Sequence, residues 1–105
     1  EAAEGHANYR DHIVARGDTS PAGLTTKARW VLGEMERRLA VLGKGWADVP
    51  ETQVYTVHDL HPFLGPEIVA RGAAAGGLTW HYARPPVVEL EYEMDCRGLA
   101  QEIVI

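Results

Sequence analysis

Seven apolar residues recur at three- and four-residue steps between Pro21 and Leu42: Leu24, Ala28, Val31, Leu32, Met35, Leu39 and Leu42. That period places them on one stripe of a helix about six turns long. A helix with one apolar stripe is stable only when another layer covers it. Asp18, Thr19 and Ser20 offer oxygens to cap its first turn, and Pro21 suits the first helical position, where no N–H is needed. Arg29, Glu34, Glu36, Arg37 and Arg38 mostly fall off the stripe, and Gly43 stands where a left-handed residue closes a helix. The spacing therefore predicts a helix over Pro21–Leu42, and the rest of the chain must supply its cover.

That cover reads mainly as sheet. After a tight connection, Lys44–Pro50, in which Trp46 and Val49 fold back onto the helix, Glu51–Val57 is rich in β-branched and aromatic residues and is a strand. His58–His61 caps a second, shorter helix over Pro62–Ala74, with Ile68 and Val69 inward, which runs out in the small segment Gly72–Gly77. Leu78–Ala83 is a further strand, and Arg84-Pro85-Pro86 is a turn or bulge, because proline cannot donate to a sheet ladder. Val88–Cys96 alternates cleanly, with Val88, Leu90, Tyr92, Met94 and Cys96 on one face and Glu89, Glu91, Glu93 and Asp95 on the other. His12–Ala15 is a short additional strand. The expected fold class is α+β, a single domain over residues 1–105 with helices packed on one face of a sheet.

A net charge of −5 without a basic stripe argues against nucleic acid as a partner and against a ribonuclease. No run approaches the roughly 18 apolar residues of a membrane span, and no basic-then-apolar leader marks secretion. The single cysteine, Cys96, cannot form an internal disulfide, so a cytoplasmic location is expected. Glu1 is not an initiator methionine, so a start after processing or inside a longer gene product is expected.

Chemistry concentrates in Thr79–Gly98. Carboxylates at two-residue spacing lie about 7 Å apart along one face of a strand. In a dry setting their pKa values rise and suit one of them to acid–base work, whereas on a solvated face they are only charge. His81, between Trp80 and Tyr82, is placed to shuttle a proton or meet a carboxylate. His58, Asp59 and His61 lack the spacing of a metal site, and Asp59 is better explained as a helix cap. Cys96, on the apolar face of its strand, is a buried small hydrophobe.

From Gly17 onward the chain resembles the RidA (YjgF) family. The resemblance rests on Arg38–Gly43 followed by Trp46-Ala47-Asp48-Val49, on Thr52–Leu60 (TQVYTVHDL) and on the terminal Glu89–Cys96, in that order. It implies a chorismate-mutase-like sheet, assembled as a homotrimer around a central barrel, with ligand sites in clefts between subunits. It further implies hydrolysis of reactive enamines and imines without metal or organic cofactor. A glutamate near the chain's end positions water there; Glu93 matches it, with Glu91 as the alternative register. The family's substrate-carboxylate arginine has its place near Gly77 or Leu78, where this chain has none, and Arg71 and Arg84 are the nearest. The family's two opening strands also lack a counterpart in the 16 residues before Gly17.

The expected activity is hydrolysis of an enamine or imine carboxylate. Glu93 and His81 would be catalytic, and Arg84, Glu91 and Tyr82 would bind substrate. A non-catalytic trimer that binds a small metabolite is the alternative.

Overall fold

The computed structural model describes residues 1–3, 5, 7–97 and 102–104. Helix α1 spans Pro21–Val41, strand β1 Glu51–Tyr55, the short helix α2 His61–Phe63, and strands β2, β3 and β4 Leu78–His81, Glu93–Arg97 and Glu102–Val104. The strands form one sheet in the order β2-β1-β3-β4. β1 runs parallel to β2 and antiparallel to β3, and β3 runs antiparallel to β4. No helix among the described residues is long and apolar enough to cross a membrane.

α1 begins where the sequence places it. The Ser20 hydroxyl accepts from the Gly23 N–H at 3.1 Å, and Pro21 opens the first turn. Gly43 closes the helix at φ +71°, where Lys44 N–H bonds back to Leu39 O at 2.9 Å. Six stripe residues, Leu24 to Leu39, are buried against one face of the sheet with Val54, Met94 and Cys96, while Leu42 stays exposed. Trp46 and Val49 do fold back. Trp46 packs on the core and donates its indole N–H to Glu36 at 2.9 Å.

Four expectations need correction. His12–Ala15 is not a strand: His12 ends a 3-10 turn, Tyr9–His12, Ile13 makes a single bridge, to Ala2, and Val14 and Ala15 lie in a turn. The second helix is α2 followed at once by a π-helical turn, Leu64–Val69, and then turns. Pro66 has no N–H to give to Pro62, so the ladder widens, and Ala70 N–H reaches Gly65 O at 3.0 Å. The widened turn buries Ile68 but leaves Val69 54% exposed. Finally, Val88–Cys96 is not one strand. β3 starts at Glu93, opposite Tyr55, the last residue of β1, and Glu89 has φ +70°. Alternation continues through Val88–Tyr92, but no strand among the described residues pairs with that stretch.

The inward set is right from Tyr92 onward: Tyr92, Met94 and Cys96 are buried among the helices. Burial pushes the Cys96 thiol up to about 11, with the Asp95 charge adding to it, so the thiol is inert at neutral pH.

Candidate active site

One face of the sheet packs under the helices, and the other carries polar side chains. Register fixes which ones. Tyr55 pairs with His81 on β2 and with Glu93 on β3, so these three lie in one row across adjacent strands. At the usual strand spacing the outer two backbones stand about 10 Å apart, with the Tyr55 ring between them. One step along lies a second row, Gln53 flanked by Thr79 and Asp95.

The rows are wired together. His81 Nε2 lies 2.7 Å from Gln53 Oε1, and the Tyr55 hydroxyl faces Gln53 Oε1 at 2.8 Å and Asp95 Oδ2 at 2.9 Å. Gln53 Nε2 donates to Glu51 at 2.8 Å. The Tyr55 and His81 rings stack, centroids 4.7 Å apart and planes 11° from parallel. Burial, reinforced by the neighbouring Asp95 carboxylate, raises the Tyr55 phenol, so it stays protonated as a donor. Asp95 Oδ1 is buried with no hydrogen-bond partner among the described residues. A buried acceptor left unpaired costs on the order of 1–3 kcal/mol, the kind of tension that collects at functional sites.

Glu93 is the carboxyl on this face with a displaced equilibrium. Its partial burial pushes its pKa above the ordinary glutamate value, and Asp95 on the same face pushes the same way. It therefore keeps its proton to higher pH than a solvated glutamate.

The continuous acidic face read from the sequence dissolves into separate arrangements. Glu89 leaves the sheet and bonds Arg16 at 2.9 Å. Glu91 sits at the sheet's end, where its Oε2 lies 2.9 Å from His58 Nε2 and accepts from Arg84 at 3.2 Å. Asp95, far from solvated, is 3% exposed. Arg84 is thus at the site's edge and already held by a carboxylate. Arg71 is elsewhere, bonded to Glu36 and Glu67. Tyr82 lies beyond β2, 75% exposed, with its ring 6.2 Å from Trp80. Asp59 does not cap α2, whose N-cap is Leu60 without a side-chain bond; its Oδ1 instead accepts from the His61 backbone N–H at 3.0 Å and lies 2.6 Å from His61 Nδ1, and the His61 ring meets Trp80 edge-on.

The structure therefore sets His81 and Glu93 in one row on either side of Tyr55, and joins Arg84 to Glu91 just before β3. It adds Gln53, Tyr55, Asp95 and His58, which the sequence reading did not select. The signal for the first two was present but unused: alternation in Glu51–Tyr55 puts Gln53 and Tyr55 on the face opposite Thr52 and Val54.

Comparison with known proteins bears on the same chemistry. A family described as 2-aminomuconate deaminase CnbZ matches residues 1–103. A 2-amino-5-chloromuconate deaminase from Comamonas testosteroni is 55% identical over 105 residues. That match takes in all of this chain but 42% of the relative's length. No solved structure matches. The deaminase class implied by the RidA resemblance is the class that both names carry, and the chain belongs to the 2-aminomuconate deaminase CnbZ family.

Proposed function

We propose that this chain builds the site of a hydrolytic deaminase acting on an enamine dicarboxylate of the 2-aminomuconate type. The observation that carries the reading is the row His81–Tyr55–Glu93, in which a carboxyl with a raised pKa shares one sheet face with a histidine. Enamine hydrolysis needs both a proton donor to carbon and a proton acceptor from water. Protonated Glu93 delivers its proton to the enamine carbon, which leaves an iminium. The Glu93 carboxylate then takes a proton from water as the water oxygen bonds to the iminium carbon. In the resulting carbinolamine, Glu93 returns that proton to nitrogen and His81 takes the hydroxyl proton. The C–N bond then breaks, a ketone forms and ammonia leaves. The proton on His81 returns to Glu93 through solvent. Arg84, at the edge of the face, offers the guanidinium that pairs with a substrate carboxylate in exchange for Glu91.

The helices occupy only one side of the sheet. This supports a RidA-like homotrimer in which the polar faces of neighbouring copies enclose the substrate.

One observation favours a second reading, a trimer that binds a metabolite without turnover: Arg84 and His58 both already hold Glu91. Ammonia release from an enamine dicarboxylate generated in situ separates the two. Wild type is expected to accelerate release, and Glu93→Gln to lose on the order of a hundredfold or more. Equal release with and without wild type would sink the enzyme reading.

A further inference from the structure

Gln53 is 6% exposed on the sheet's polar face, and each atom of its amide faces a group of known hydrogen-bonding sign. The chain of constraint begins at Glu51. An ionised carboxylate only accepts, so the Gln53 atom 2.8 Å from Glu51 Oε1 is the amide NH2. The amide oxygen is then the atom turned toward β2, and it too only accepts. The ring nitrogen 2.7 Å from it, His81 Nε2, must carry a hydrogen. Turning the amide over would set its oxygen against the Glu51 carboxylate and its NH2 against the Tyr55 hydroxyl. It would thus lose the bond to Glu51 outright.

We propose that Gln53, itself oriented by Glu51, is a positioning residue that fixes His81 in the tautomer protonated at Nε2. The inference rests on the deaminase reading above only for its catalytic meaning. In this tautomer Nδ1 holds the free lone pair, and Nδ1 makes no hydrogen bond to any described residue, so it is the atom that receives the carbinolamine proton. Stacking on Tyr55 holds the ring plane and Gln53 sets which nitrogen is basic, so the two contacts divide the work.

The test is long-range 1H–15N correlation spectroscopy of His81 in 15N-labelled protein at about pH 9, well above the ordinary histidine range. Wild type is expected to show the Nε2–H pattern, and Gln53→Leu a mixture or the Nδ1–H pattern. In the same variant kcat is expected to fall on the order of tenfold or more, as for other groups that orient a functional imidazole, with KM much less affected. Glu51→Leu, which frees the amide to turn, should mix the tautomers with Gln53 still in place. It also serves if Gln53→Leu does not fold. An Nδ1–H pattern in wild type overturns the proposal, and so does an unchanged Nε2–H pattern in both variants. If wild type releases no ammonia yet shows the Nε2–H pattern and loses it in the variants, the deaminase reading falls and the tautomer assignment stands.

Discussion

Glu93 illustrates how much a single residue's surroundings decide. Burial raises its folded pKa above its value in the unfolded chain. Its contribution to stability is therefore complete below the ordinary glutamate range, about pH 4, and is lost as pH rises through the raised folded value. Glu93→Gln removes that loss. The variant should have a higher Tm than wild type at pH 7–8, with the gain vanishing as pH falls below about 4, as thermal melts across pH would show. On the deaminase reading proposed above, activity should move the opposite way. Residue type and spacing marked the acidic alternation and His81 as candidates, and the RidA resemblance singled out Glu93 among the carboxylates. Gln53 and Tyr55 were not, because their roles depend on strand pairing, and the sequence does not state which strands lie side by side. His58 was weighed only as a metal ligand, whereas its partner, Glu91, is 33 residues away.

Among the elements, α1 was readable to within one residue at its C-terminal end, since cap, stripe and closing glycine all agree. The segments around it were less so. The alternation of Val88–Cys96 measures amphipathicity, but a strand also needs a neighbour, and β1 ends at Tyr55. Pro66 similarly overrides the helical pattern of its surroundings. The turns that follow must then lead the chain back to start β2 beside β1, and Gly76 makes that passage possible. A Cβ there would meet Val49 O at 2.4 Å and Pro50 O at 2.8 Å, both backbone atoms that cannot swing aside. Gly76→Ala should cost about 1–3 kcal/mol, measurable by urea denaturation. It should also disturb β2, and with it the placement of His81.

At the scale of the whole molecule, one buried ion pair joins regions that the chain keeps apart. Lys27 on α1 and Glu1 have fully buried side chains, with Nζ 2.9 Å from Glu1 Oε1 and 2.8 Å from Val14 O. The same Glu1 carboxylate accepts from the backbone N–H groups of Glu91 and Tyr92, immediately before β3. Lys27→Met strands a buried carboxylate and should cost about 3–5 kcal/mol in denaturant titrations. Converting Glu1 to Gln in the same chain should recover part of that loss. Sequence reading gave Lys27 no part in the core, because a lysine beside an apolar stripe is ordinarily solvated. Fold class and the helix-on-sheet arrangement were legible from pattern alone. The buried charge was not, because only the folded N-terminal segment reveals its partner.

The row His81–Tyr55–Glu93 has a consequence for how the chain matures. Its three residues come from strands that are distant in sequence, and one pairing is parallel. α1 rests on local contacts and can form within microseconds, whereas ladders between distant segments close late. During folding, then, the molecule acquires its scaffold before its chemistry. On the deaminase reading proposed above, the three side chains align only once β3 has docked beside β1, so activity is expected to return with the slowest phase of refolding.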